Sequence, residues 1–179
     1  MTIDYIITSS GIKFHFLEPR PEEVKILDIA HHLSNICRFT GATREFYSVA
    51  QHCLLVSYYL PEPLKLSGLM HDAAEAYIND VSRPVKVTHK LQETEAIIAD
   101  VIDRKYSVDS RHPEVVKIDK QLFMNEVREL IPHSTEWDST EWGIDEEELP
   151  NLNIIPWVPK VAEAVFQKTF KELGGKEIE

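Results

Sequence analysis

From residue 26 onward the apolar residues recur at three- and four-residue steps, and that spacing sets the fold class. Ile26, Ile29, Ala30, Leu33, Ile36 and Cys37 fall on one face of a helix. Ser48 reads as the N-cap of a second helix that runs to about Leu60, where Pro61 stops it. Pro63 opens a third, carrying Leu66, Leu69, Met70 and Ala73 and ending near Tyr77. A fourth spans roughly residues 91–105. A fifth opens at His112-Pro113-Glu114, carries Val115, Ile118, Leu122 and Val127, and closes before Pro132. The last runs from about Pro159 to Leu173, ahead of Gly174-Gly175. Such a chain is mostly α, a helical bundle.

Two segments break the pattern. At the front, residues 5–8 and 12–16 are β-branched or aromatic runs around Ser9-Ser10-Gly11, so residues 3–16 predict a small N-terminal β-hairpin. Near the end, residues 134–156 lose the helical spacing. Glu136, Asp138, Glu141 and residues 145–148 make this stretch acidic, and Trp137 and Trp142 lie within it. It reads as a long acidic loop ordered in part by its tryptophans. With 179 residues and no internal repeat, the chain forms a single domain, residues 1–179.

Charge limits the partners. The chain holds 30 Asp and Glu against 19 Lys and Arg, a net charge of −11. Bulk attraction to a long nucleic acid or to anionic lipid needs a basic surface, so neither is expected. A phosphorylated substrate would need local cations or a metal. No apolar run approaches the ~20 residues of a membrane span, and the N-terminus has no basic flank or signal core. The two cysteines, Cys37 and Cys53, each lie in an apolar stretch and read as free thiols of a cytoplasmic protein.

Four residues then stand out: His52, the adjacent pair His71-Asp72, and Asp119, each in a predicted helix. Bundles build metal sites by aiming side chains from several helices at one interior point. Two imidazoles and two carboxylates suit Mn²⁺, Co²⁺, Fe²⁺, Ni²⁺ or Zn²⁺ and leave positions for water and substrate. His71-Asp72 lies in an apolar stretch rich in small residues, where burying such groups is costly unless something pairs with them. Glu75, four residues after His71 and three after Asp72, falls on the same helical face. It is placed to act as general base or to orient water.

This order of residues resembles the HD-domain phosphohydrolases, all-α metal enzymes that cleave phosphate esters. Ser48-Val-Ala-Gln-His52, His71-Asp-Ala-Ala-Glu75, Asp80, Pro84-Val-Lys86 and Val116-Lys-Ile-Asp119 are similar to blocks of the bacterial 5′-deoxynucleotidases in that family. The resemblance covers about residues 28–131. It implies an HD-domain bundle in which His52, His71, Asp72 and Asp119 hold one divalent ion, with Asp72 and Glu75 as catalytic residues. It further implies that Arg38, Lys86 and Lys117 reach phosphate, that Phe39 lies beside the base, and that Asp80 reads the sugar. His89 and His112 match no second-metal pattern. A homo-oligomer, with a dimer favoured, is expected.

The activity implied is hydrolysis of a small nucleotide, foremost a deoxynucleoside 5′-monophosphate to deoxynucleoside and phosphate. A dNTP triphosphohydrolase would use the same metal set with more cations along the substrate, which Arg44 could supplement. A non-catalytic nucleotide-binding module is the alternative from a different class.

Overall fold

The computed structural model describes residues 4–132, 138, 140, 144, 147–150 and 152–177. The described chain is mostly helical behind a two-stranded antiparallel hairpin, as the sequence predicts. Strands β1 (Tyr5–Ile7) and β2 (Lys13–His15) pair with Ile6 opposite Phe14. Phe14 is fully buried and stacks on Tyr77, with ring centroids 3.7 Å apart. The hairpin turn is fastened to α1 (Ile26–Asn35): Asp28 Oδ1 accepts from the Ser10 amide at 2.7 Å, and His32 Nε2 accepts from the Ser9 amide at 3.1 Å.

Helix α2 (Val49–Tyr59) is the centre of the bundle and packs against α1, α3 (Lys65–Met70), α7 (Pro113–Leu130) and α8 (Pro159–Glu172). It is apolar nearly all round, as a mostly enclosed helix must be, and Tyr58 alone of its residues is exposed. Ser48 caps it as expected, its hydroxyl accepting from the Gln51 amide at 3.1 Å. Ala50, Cys53 and Leu54 pack into a core shared with the hairpin, α1, α6 (Leu91–Tyr106) and α8 (Pro159–Glu172). Val56 and Leu60 join a second core with Val115, Ile118 and Leu122 of α7 (Pro113–Leu130). Both cysteines are free.

The helix expected from Pro63 to Tyr77 is instead divided. A 3₁₀ turn (Glu62–Leu64) leads into α3 (Lys65–Met70), and α4 (Glu75–Ile78) follows only after tight turns through residues 71–74. The amides of Ala73, Glu75, Ala76 and Tyr77 bond three residues back, at 2.9–3.2 Å. One cause is local: His71 Nδ1 donates to the Gly68 carbonyl at 2.8 Å, the oxygen an unbroken helix offers to the Asp72 amide. In this tighter geometry side chains three apart eclipse, so Glu75 lines up with Asp72 rather than with His71. A short helix absent from the sequence expectation, α5 (Arg83–Thr88), follows with Pro84 in its first turn.

The acidic segment falls partly outside the described residues, Trp137 and Trp142 with it. Its described end is held by amide side chains. Asn125 of α7 pairs with the Leu149 backbone in both directions, at 3.1 and 2.8 Å. Gln51 of α2 does the same across Ile155 and Trp157, at 2.8 Å each.

Helices α2 and α3 approach so closely that Gly68 has no room for a side chain. A Cβ there would lie 2.2 Å from Leu60 Cδ1 and 3.2 Å from the Ser57 Cα. Gly68→Ala is expected to destabilise the protein by about 1–3 kcal/mol through overpacking, read as a lower urea midpoint at unchanged m-value.

Candidate metal centre

The four residues singled out from the sequence converge. His52 comes from α2, His71 and Asp72 from the turn after α3, and Asp119 from α7. The two Nε2 atoms lie 3.2 Å apart. Asp72 Oδ2 is 3.6 Å from His52 Nε2 and 3.2 Å from His71 Nε2. Asp119 Oδ1 is 3.0 and 3.8 Å from the same two atoms. Among the described residues, His52, His71 and Asp72 offer donor atoms within 4.8 Å of one another and could hold a metal ion.

Hydrogen bonding on the far side of each ring decides what these atoms can be. His71 Nδ1 donates to the Gly68 carbonyl. His52 Nδ1 donates to Glu126 Oε1 at 2.7 Å. Both neutral rings therefore carry their proton on Nδ1 and turn an Nε2 lone pair inward. Two lone pairs and two carboxylates then face one point with no donor between them. A cation must be supplied, as a divalent ion or as protons, and the donor set fits the ion.

The electrostatics agree. Burial opposes charge on His71, but Asp72 and Asp119 outweigh it and raise its pKa well above the ordinary value. Burial likewise works against Asp72, yet His71 and His52 hold it far below the usual carboxylate range. Asp119 is lowered too, against its burial, by the two imidazoles when they carry the protons that take the place of a metal.

Beside this centre opens a cleft of about 600 Å³, within the usual size for a small-molecule site. Asp72, Glu75 and Asp119 line one end. Glu75 is only 4% exposed, so it is not a surface residue. Its Oε1 accepts from Lys86 Nζ at 2.9 Å, and its Oε2 is buried without a partner. Burial, with Asp72 and Asp80 nearby, raises its pKa well above the ordinary carboxylate value. Asp80 also lines the cleft and is raised, chiefly by burial. Asn79, at φ 72°, turns the chain there.

Arg38 and Phe39 enter from a turn between α1 and α2 (Arg38–Gly41). Phe39 and Thr40 both have left-handed backbones, at φ 56° and 54°. Such residues cost ~1–3 kcal/mol each and persist only where the surroundings hold them. Here the Arg38 amide bonds to the Tyr47 carbonyl at 2.9 Å, and Cys37 bridges Ser48. The turn sets the Phe39 ring 5.5 Å from Phe123 in the cleft. It buries the Arg38 guanidinium 3.5 Å from Asp72 Oδ2 and 3.0 Å from Glu126 Oε2.

The two lysines differ from expectation. Lys86 reaches the cleft, but its ammonium is already held between Glu75 and Glu95, at 2.9 and 2.7 Å. Lys117 is exposed and does not line the cleft; Lys120 does. Helical rotation is the reason: Val116, Asp119, Lys120 and Phe123 share the cleft-facing stripe, and Lys117 falls off it. Of the remaining histidines considered, His89 is exposed, and His112 caps α7, its Nδ1 accepting from the Glu114 amide at 3.2 Å.

Glu126 and Tyr47 were not singled out from the sequence. Glu126 is fully buried and accepts from Tyr47 at 2.7 Å as well as from His52 and Arg38. A signal existed, since Asp119, Leu122 and Glu126 sit at i, i+3 and i+7 on one helical face.

No family model matches the chain. It is similar to the uncharacterized protein YfdR of Escherichia coli, with 36% identity over 175 residues, covering 96% of this chain and 97% of YfdR. It is also similar to an uncharacterized protein of Rhodobacter capsulatus, 38% identical over 86 residues, which covers 43% of this chain and 44% of that one.

Metal and protons compete for the same atoms. Without metal, the raised His71 and the lowered Asp72 and Asp119 stabilise the fold most between about pH 4 and 6.5. His71's share is lost as pH rises through its elevated pKa, and the carboxylates' share as pH falls through their depressed ones. The metal-free protein should therefore melt lower at pH 9 than at pH 6. Mn²⁺ or Co²⁺ should remove that difference. Calorimetric titration in two buffers of different ionisation heat should show protons released on metal binding at pH 7.

Proposed function

The chain belongs to the same family as YfdR, and we propose that it is a metal-dependent phosphohydrolase acting on a deoxynucleoside 5′-monophosphate. One observation carries the reading: four inward-facing acceptors of His52, His71, Asp72 and Asp119 lie beside a cleft that Glu75 lines, with a carboxyl oxygen of Glu75 buried and unpartnered. The similarity of these blocks to the HD-domain phosphohydrolases supports it. So does the burial of Glu75, which a mere binding module would have no reason to maintain.

His52, His71, Asp72 and Asp119 would hold one divalent ion. That ion supplies Lewis acidity toward a phosphoryl oxygen and toward water. Arg38, fixed by Glu126 and Asp72, presents the guanidinium suited to phosphate oxygens. Glu75, whose pKa is raised chiefly by burial, gives a proton from Oε2 to the leaving 5′-oxygen as water adds to phosphorus and the P–O bond breaks, and it takes a proton back from that water. Lys86, between Glu75 and Glu95, orients that acid. Phe39 and Phe123 offer aromatic faces to the base. Asp80 accepts from the sugar 3′-hydroxyl and fills the space a 2′-hydroxyl would need.

Lys120 and Arg83 also line the cleft, and they favour a second reading in which a dNTP is cleaved to nucleoside and triphosphate. The products distinguish the two. We expect a panel of dNMPs, NMPs and dNTPs, assayed with Mn²⁺, Co²⁺ or Zn²⁺, to give inorganic phosphate from dNMPs. Intact triphosphate would establish the second reading, and no turnover with any of them would sink both. Asp119→Ala should abolish metal-dependent turnover. Glu75→Gln should keep metal and lose roughly 10²–10⁴-fold in kcat. Asp80→Ala should narrow the ratio of kcat/KM between a dNMP and its ribonucleotide.

A further inference from the structure

Glu126 is a fully buried carboxylate with three donors, and the chemistry above gives it no step. It sits two helical turns after Asp119 on α7. Its Oε1 accepts from the Tyr47 hydroxyl and from His52 Nδ1, each at 2.7 Å. Its Oε2 accepts from Arg38 Nη2 at 3.0 Å. Arg38 Nη1 in turn reaches toward Asp72 Oδ2 at 3.5 Å.

We infer that Glu126 is a positioning residue that sets the metal end and the phosphate end of the site together, fixing His52 through one oxygen and Arg38 through the other. The inference rests on the metal-dependent reading. It explains why a charge lies in the middle of the bundle. A carboxylate accepts on both oxygens, whereas an amide of the same shape has one acceptor and one donor end. With glutamine at this position, one end would set N–H against N–H, either at Arg38 or at His52 and Tyr47. The carboxylate also fixes the proton on His52 Nδ1 and raises the basicity of the ring toward a metal. Because Asp119 and Glu126 share one stripe of α7, the position of that helix sets a proposed ligand and its neighbour's support at once.

The test is a Co²⁺ titration of the metal-free protein, followed by visible absorption, for wild type, Glu126→Gln and Tyr47→Phe. Expected is a Co²⁺ affinity about 10–100-fold weaker in Glu126→Gln, with a shifted d–d band. Tyr47→Phe removes one hydrogen bond and keeps the carboxylate, so its band should match wild type. A folded Glu126→Gln protein with wild-type affinity and spectrum would overturn the inference and leave the metal reading intact. Wild type that binds no Co²⁺ would overturn both. If Glu126→Gln does not fold, Arg38→Met with and without Glu126→Gln makes the same comparison free of an unpaired buried guanidinium. An equal Co²⁺ affinity in that pair would count against the inference, and a weaker one in the Glu126→Gln member would support it.

Discussion

Two imidazoles face each other across 3.2 Å with their outer nitrogens already committed. The architecture of the site follows from that arrangement. Neutral imidazoles so arranged turn two lone pairs toward each other, and the carboxylates of Asp72 and Asp119 add more negative density. The surrounding helices must therefore be rigid enough to hold acceptors together that repel in the absence of a cation. Enclosing α2 on its sides by α1, α3, α7 and α8 supplies that rigidity. Gly68 supplies the close approach of α3.

Charge is balanced locally rather than across the surface. The chain carries a net −11, yet charged carboxylates at the site meet specific partners: Glu126 meets Arg38, and Asp72 meets His71. Removing one member of such a pair costs far more than removing both, because it strands a charge in a poorly solvated interior. Arg38 and Lys86 are accordingly held in place by acids. A phosphate entering beside Arg38 would meet a guanidinium that is already oriented, at little further entropic cost.

Tight turns rather than long helices deliver the side chains that face the cleft. The 71–74 turns align Asp72 with Glu75 and send His71 inward. The left-handed pair Phe39 and Thr40 brings Arg38 and Phe39 into one site, with the guanidinium carbon 5.3 Å from the ring centroid. Asn79 turns the chain so that Asp80 enters the lining. Phe39, Thr40 and Asn79 depart from the easiest backbone, and the first two are held by the bonds that tie Arg38 and Cys37 to Tyr47 and Ser48, local strain gathered around the candidate site.

The sequence by itself determined the helical class, the front hairpin, the Ser48 cap and the grouping of His52, His71, Asp72 and Asp119. Apolar spacing reports which face of a helix is buried, and a His or Asp within an apolar run must find a partner. What only the tertiary structure decided depends on rotation and on distant neighbours. Lys117 and Lys120 are indistinguishable by type, and the orientation of α7 alone puts Lys120 in the cleft. Lys86 has the right charge for phosphate, but its position between Glu75 and Glu95 is set by how α5 meets α4 and α6. Glu126 looked like one more acid of an acidic chain. Only the convergence of Tyr47, His52 and Arg38, which come from 74 to 88 residues away in sequence, shows it to be the buried acceptor they share. Pairings over such separations leave no local pattern, because the physical requirement they satisfy arises only once the helices are packed.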